Sequence, residues 1–575
     1  MKTTNYKNKL IIAFGFIILI GNACNDLDLA PLSSASTENW YSSGEEFDMS
    51  MNYFYGIGYW DQQFNLEAID LWTDDLIYRD RVGALDGGSL DASTSFVKTL
   101  WGRNYQQIQN ANRVIQELQN AEGISDDKKE QLKAEAMFHR AARYSNLIFH
   151  WGDVPFYTNV LTVDEAFSLS RKDKEEILQE IYKDFDFASQ NLPLTYSGFQ
   201  RATKGAALAM KSRIALYMGD YEVARDAAKA CIDLGIYELH PKYEDVFAKK
   251  TGLSKEIIFA IPRSKEYGVV LGGHGAQLCT RTPGGFVVRG PSWQLLASYL
   301  CTDGLPIDES PLFDPQNPFE NRDPRCNKTI IEFGSQFAGV VYEPHPDSLV
   351  VFNSNTGSYV TNKDSRGNDR FASFNGLAVR KWINGEESDW LNSLAEPLSI
   401  VVRYADVLLY YAESKIELNE IDQSVLDAIN HVRARAYEVD ISSSAYPKVT
   451  VTDQNELRRQ LRVERRMEFG FEGLRRYCDL VRWRLAEKVM NMWTYGILSS
   501  ADDLRNKVVE PGLWFWPDTP PIDEDGIAHF EETNMFQEGR IRRLAKRSWP
   551  DRQYLWPIPT SEIQINKNLV QNPQY

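Results

Sequence analysis

Glu464 and Glu468 stand one helical turn apart in the stretch ELRRQLRVERRMEFGFEGLRRYCDLVRW. Carboxylates at that spacing leave one face of a helix, where they suit a shared metal ion or a proton-transfer pair. The same two positions fall on a stripe, Leu457, Leu461, Glu464, Glu468 and Phe471, whose other members are apolar. A carboxylate on such a stripe is buried and needs a cationic partner. Arg459, Arg462, Arg465 and Arg466 crowd the same helix and are the expected partners. The pair is therefore read as structural, with catalysis or metal binding as the competing reading.

Other reactive constellations are missing. There is no H-E-x-x-H, no G-x-S-x-G and no P-loop, and the seven histidines are scattered. Gly272-Gly273-His274-Gly275 opens no readable helix, which argues against a phosphate cradle. A glycoside hydrolase stays open, because the separation of its two carboxylates is a property of space and 80 acidic residues offer candidates. No cofactor is expected. Asp-rich loops leave room for a structural calcium, although no Asp-x-Asp-x-Asp-Gly loop is present.

The elements that must position these residues are helical. Val401, Ala405, Leu408, Ala412 and Ile416 recur at helical spacing, as do Val425, Ile429, Val432 and Ala436. Small alanines on the inner stripe let helix backbones approach, as in a tetratricopeptide-type pair. Residues 203–234 repeat the pattern most clearly, with Gly219-Asp220-Tyr221 as the turn and Ala224, Ala228 and Cys231 as the small stripe. Cys231 is accordingly a small core residue and not a reactive thiol. Phe47, Met51 and Phe54 mark a short helix. Ala134, Phe138, Ala141 and Ile148 mark a longer one that stops at Gly152-Asp153-Val154-Pro155.

Between Gly56 and Trp101 the pattern breaks into a segment rich in aromatic and acidic residues, a composition that often carries binding. From Pro262 to Pro397 Gly, Pro, Asn and Asp dominate over a length no ordinary connection needs, which marks a functional elaboration. The fold class is mainly α: one large domain on a tetratricopeptide-like helix-pair scaffold (an α-α superhelix), with long irregular loop inserts and minor β.

Lys2, Lys7 and Lys9 precede the apolar run Leu10 to Ile20, too short to span a bilayer and suited to a secretory signal. Gly21-Asn22-Ala23-Cys24 then resembles a bacterial lipoprotein cleavage box, which makes residues 1–23 the signal and Cys24 the acylated first residue. Losing the three lysines takes the formal net charge from −17 to −20, which argues against nucleic acid as a partner. The remaining cysteines leave room for one disulfide among Cys279, Cys301 and Cys326, but not for a disulfide-built fold.

Several stretches together resemble the RagB/SusD family of outer-membrane nutrient-uptake lipoproteins. They are Trp151-Gly152-Asp153-Val154-Pro155, Asn321 through Arg325, Arg403-Tyr404-Ala405-Asp406 through Glu413, Asn430 through Arg435, Glu464 through Arg475, and Trp556-Pro557-Ile558-Pro559 through Pro573. They run in family order across the chain, and Asp26 and Asp28 behind Cys24 look like the acidic signal for export to the cell surface. The resemblance implies a helical part at 24–265 and a second part at 266–575, with 266–399 as a loop-rich ligand-side insert and 400–484 as scaffold helices. It implies a non-catalytic protein on the cell exterior, anchored in the outer membrane through its lipid. Such a protein would bind oligosaccharide and deliver it to a TonB-dependent transporter of the SusC type. A glycan hydrolase, a helical-repeat adaptor and a peptide-binding relative are the alternatives.

Sugar binding asks for aromatic faces and planar polar side chains. Trp101 with Asn104, three apart at a helix start, follows a loop offering Trp72, Asp74, Asp75 and Arg81. The prototype family member resembles this arrangement with a Trp-x-x-Asn and an upstream Asp and Arg. Trp293, Phe286 and Tyr359 are further candidates from the long insert. Trp60, Trp382, Trp390, Trp514 and Trp516 also lie in or beside irregular segments, whereas Trp151, Trp483 and Trp556 are read as core.

Overall fold

The computed structural model describes residues 40–575 apart from 42, 61–68, 197–200, 249–253 and 384–386. The signal segment, Cys24, Asp26 and Asp28 lie outside the described residues. The scaffold is a succession of helices: α1 (Ser95–Asn120), α2 (Asp126–Trp151), α3 (Lys174–Asn191), α4 (Lys204–Met218), α5 (Tyr221–Ile232), α6 (Tyr404–Glu417), α7 (Gln423–Ala436), α8 (Gln454–Phe469) and α9 (Leu474–Arg482). From α1 to α7 each helix packs on the next, so α6 joins α5 directly although 171 residues intervene in sequence.

Local sequence sets the helix ends. Ser125 accepts from the Lys128 amide to start α2, and Gly152 ends it with φ +71°, a conformation a Cβ disfavours. Thr203 caps α4, Gly219 closes it in the left-handed region at φ +80°, and Asp220 at once caps α5. The turn read from Gly219-Asp220-Tyr221 is thus two caps back to back. Cys231 is buried on the α5 stripe, and burial pushes its thiol up to about 12.

Strands are short: β1 (Leu76–Tyr78), β2 (Ile257–Ile261), β3 (Arg289–Pro291), the four-stranded antiparallel run β4 (Gln336–Phe337), β5 (Val340–Val341), β6 (Val350–Asn353) and β7 (Ser358–Thr361), then β8 (Ser399–Arg403), β9 (Trp493–Gly496) and β10 (Arg542–Lys546). β8 corrects one expectation. Val401 belongs to this buried strand, paired antiparallel with β2, and not to a helical stripe. The β-branched run Ile400-Val401-Val402 favours that pairing, and α6 begins only at Tyr404, where the Asp406 carboxylate accepts from the Arg403 amide at 2.9 Å. The disulfide for which the sequence left room is not formed: Cys279, Cys301 and Cys326 are buried free thiols.

Two apolar cores result. One joins α1–α5 to α6–α9 and the C-terminal tail; the other lies beneath residues 243–400 and 495–541. The tail completes the first. Trp151 Nε1 donates to the Pro557 carbonyl at 2.9 Å, Trp556 stacks on His150 with ring centroids 4.2 Å apart, and Asn572 Nδ2 donates to the carbonyls of Trp151 and Trp556. The Trp151 and Trp556 motifs, 405 positions apart, are one joint.

Burial gives this core a pH dependence. It pushes His150 down to about 3 and His139 well below the ordinary histidine value, so both stay neutral in the fold. Because the folded values are depressed, their contribution is complete above the unfolded value near pH 6.5 and is lost as pH falls below it. Stability is expected to fall between pH 6.5 and 5 by about 1.4 kcal/mol per pH unit for each histidine. Urea unfolding across that range checks this, and a flat profile contradicts it.

Candidate functional site

Glu464 and Glu468 are fully buried in an ion network. Arg325 donates to Glu464 at 2.7 Å and to Glu468 at 2.9 Å, Arg433 donates to Glu464 at 2.9 Å, Arg403 donates to Glu468 at 2.6 Å, and Arg435 also bonds Glu468. Arg403 further reaches Glu256 and Glu472 at 2.6 and 2.7 Å, and Arg475 holds Asp406 at 2.7 Å. The expected partners are thereby corrected. Arg465 and Arg466 bond Asp479 and Asp75 instead, while Arg459 and Arg462 pair with Glu456 and Asp525. The reason is direction: the two glutamates face the neighbouring segments, and their own helix cannot bend its arginines round to them. Burial opposes ionisation of Glu468, yet Arg435, Arg403 and Arg325 overcome it and hold the carboxyl well below the usual range. A carboxylate this enclosed and this strongly ionised meets no substrate and takes no proton at neutral pH.

The tryptophan candidates move inward as well. Trp101 is 3% exposed and packs edge-on against Trp151 at 5.5 Å, and Asn104 is buried with its amide on the Leu100 carbonyl. Trp60, Trp293, Trp382, Trp390 and Trp516 are likewise buried. Asp74 is enclosed by Arg466 at 2.7 Å and Arg476 at 2.9 Å, which overcome burial and hold it low. Residues 69–94 fold over the start of α1 with Leu85 and Leu90 in the first core, which encloses Trp60 and Trp101, whereas Trp293, Trp382, Trp390 and Trp516 fill the second core. Trp101, Asn104, Asp74 and Trp293 therefore present no face to a ligand.

What remains exposed gathers beside the short β1–β3 ribbon, where Tyr78 pairs with Arg289. A cleft of about 310 Å³ opens there, lined by Tyr78, Arg81, Val82, Gln277 and Arg289 together with Trp72, which is itself buried. Of the expected residues, Trp72 and Arg81 meet in it. Arg289 lies over the Tyr78 ring at 5.7 Å. Next to the cleft, Arg79 donates to the Phe286 carbonyl at 3.2 Å and lies over the Phe371 ring at 5.2 Å. Phe286 is 51% and Phe371 39% exposed. Arg79 and Val287 flank this contact at φ +48° and +41°, and a β-branched residue there costs on the order of 1–3 kcal/mol. Strain of that kind fixes a surface in advance of binding. Tyr359, 71% exposed, stands on β7 and lines neither this cleft nor the larger cavity below.

Tyr78, Arg79, Gln277, Arg289 and Phe371 escaped the sequence reading. The available signal was the Leu-Ile-Tyr-Arg-Asp-Arg run ending β1, where polar side chains follow a buried strand. A larger cavity of about 450 Å³ lies between residues 297–309 and α8, but it has no aromatic lining side chain. Among the described residues no group of three or more His, Cys, Asp and Glu side chains converges to hold a metal ion, and no helix is long and apolar enough to cross a membrane.

Comparison with known proteins follows this geometry. A family model described as the SusD family matches residues 255–575, and one described as starch-binding associating with outer membrane matches residues 79–216. The SusD-like protein P25 of Formosa agariphila is 24% identical over 533 residues, covering 86% of this chain and 93% of that protein. Among solved structures, a SusD-like carbohydrate binding protein from Bacteroides fragilis superposes with a TM-score of 0.74 at 29% identity, covering 92% of this chain and 99% of that one. A second SusD-like protein from Bacteroides fragilis gives a TM-score of 0.70 at 24% identity, over 95% of this chain and all of that one. With more than half its length matched in one continuous span and the scaffold reproduced nearly end to end, the chain belongs to the SusD family.

Proposed function

We propose that this protein binds oligosaccharide at the cleft beside β1 and β3 and delivers it, unaltered, to a TonB-dependent transporter of the SusC type. The reading includes a lipid anchor on Cys24 that holds the protein at the outer membrane, facing the cell exterior. The observation that carries it is the cleft itself. It combines the Tyr78 ring, the planar polar groups of Arg81, Gln277 and Arg289, and flanking exposed phenylalanines, a mixture that suits the apolar faces and hydroxyl edges of sugar rings. The solved relative from Bacteroides fragilis, named as carbohydrate binding, supports the same class of ligand.

Chemistry at this cleft lacks its parts. Asp86 is the carboxylate lining it among the described residues, and its Oδ1 already accepts from the Gly83 amide at 2.7 Å. Hydrolysis of a glycosidic bond needs a second carboxyl group across the scissile bond. Delivery therefore requires only capture and release.

Tyr78→Ala and Arg81→Ala are each expected to weaken binding of the cognate oligosaccharide about tenfold, as loss of one stacking or one charge-assisted contact implies. Melting temperature should stay unchanged for Arg81→Ala, whose side chain is exposed, and fall only slightly for Tyr78→Ala, whose ring is half-buried. Titration calorimetry against a panel of polysaccharide digests checks this. Unaltered affinity in both variants moves the site elsewhere, and shortened products after incubation favour a hydrolase.

A further inference from the structure

We propose that the oligosaccharide carries oxyanions, as uronate carboxylates or sulfate esters, and that Arg79, Arg366 and Arg542 receive them next to the cleft. This deepens the glycan-binding reading and rests on it. The three guanidinium groups converge on one ring, with Arg366 4.5 Å, Arg542 5.1 Å and Arg79 5.6 Å from the centroid of Phe374. None of the three forms an ion pair among the described residues. Arg366, 7% exposed, donates from NH1 to the Arg370 carbonyl at 2.7 Å, while its Nε and NH2 have no hydrogen-bond partner. Arg542 NH2 and Arg79 Nε are also without one.

The contrast with the scaffold is the argument. Arg403 and Arg325 each hold several carboxylates, in a chain whose formal net charge is −17. Beside the cleft Asp80 and Asp369 offset part of the cluster's charge, but neither forms an ion pair with its three arginines. Asp369 is taken by Arg281 at 2.7 Å, and exposed Asp80 makes no ion pair among the described residues. Burial pushes the Arg366 guanidinium down to about 10, with Arg542 and Arg79 acting in the same direction and Asp369 and Asp80 against it. Like charges gathered without a bonded counter-ion are costly, and an arriving anion relieves that cost. A guanidinium fork matches the paired oxygens of a carboxylate or sulfate, and the rings of Phe286 and Phe371 offer faces for the sugar. The negative charge of the whole chain repels polyanions in general, so retention of one reports this cluster.

Affinity electrophoresis with two matched pairs of polymers tests the proposal: polygalacturonate against its methyl ester, and a sulfated carrageenan against its desulfated form. The expected result is about tenfold stronger retardation by the charged member of one pair, weakened when salt rises from about 50 to about 500 mM. Which pair responds tells carboxylate from sulfate. Arg79→Gln, at a half-exposed position, and Arg366→Gln should each remove most of that preference, and Arg459→Gln, in the other cavity, should not. Equal retardation within each pair, or a preference retained in the Arg79→Gln/Arg366→Gln double variant, overturns the proposal. Retardation by the neutral members alone overturns it and leaves glycan binding standing. The polymer comparison needs no variant, so a substitution that fails to fold does not spare the proposal.

Discussion

Replacing Glu468 by alanine is expected to cost about 3–5 kcal/mol and to leave a large unfolded fraction at 37 °C. Three guanidinium groups, those of Arg325, Arg403 and Arg435, lose their shared carboxylate at once in a fully buried place. Total stabilities of folded proteins run to about 5–15 kcal/mol, so one such loss takes a large share. Glu468→Gln keeps the volume and some hydrogen bonds but not the charge, and should fall between wild type and Glu468→Ala. Urea denaturation of the three proteins decides it; a change below about 1 kcal/mol for Glu468→Ala would mean that the network is not what holds α8. A simple acid/base role predicts the reverse, with stability kept and an activity lost.

The same network explains why the family's signature is spread so widely along the chain. Arg325 comes from the Asn321–Arg325 stretch, Arg403 and Asp406 from the start of α6, Arg433 and Arg435 from the end of α7, and Glu464 through Arg475 from α8 and α9. Each piece alone reads as charged residues near a helix. In the fold they are complementary halves of buried pairs, and a lone half would be an uncompensated interior charge. That constraint ties stretches far apart in sequence into one unit. It also shows what was legible. Burial of Glu464 and Glu468 could be read because helical periodicity is local. Their partners lie 31 to 143 residues away in sequence and could not be read from spacing.

Other elements divide along the same line. The α4–α5 hairpin was readable because its caps, glycine turn and alanine stripe lie within 32 residues. The proposed ligand surface was not. Tyr78, Arg79, Arg289, Phe371 and Phe374 come from three separate segments, brought together by β1–β3 pairing and by the insert folding against it. Composition pointed to the loops between Gly56 and Trp101 and to the long insert, which supply the proposed surface, and Arg81 and Phe286 were named. The tryptophans drew the reading inward, because a large aromatic in an irregular segment looks available until the loop closes over it.

Trp101→Ala makes that distinction measurable. Truncating this buried indole is expected to destabilise the protein by about 3–5 kcal/mol, the usual cost of emptying a large aromatic site in a core. The ring fills the space between Tyr105, at 5.0 Å, and Trp151, at 5.5 Å, so its loss opens a cavity at the joint where α1, α2 and the C-terminal tail meet. Glycan affinity of the folded fraction should stay within about twofold of wild type, since no atom of Trp101 lines the cleft. Tyr78→Ala should give the opposite profile, with stability largely kept and affinity lowered. Urea unfolding and titration calorimetry on the same two variants separate the cases. If Trp101→Ala melts like wild type and binds tenfold more weakly, the helix start opens in solution and the site returns to Trp101 and Asn104. If the two variants split as expected, the indole serves the scaffold and the β1–β3 surface serves the ligand.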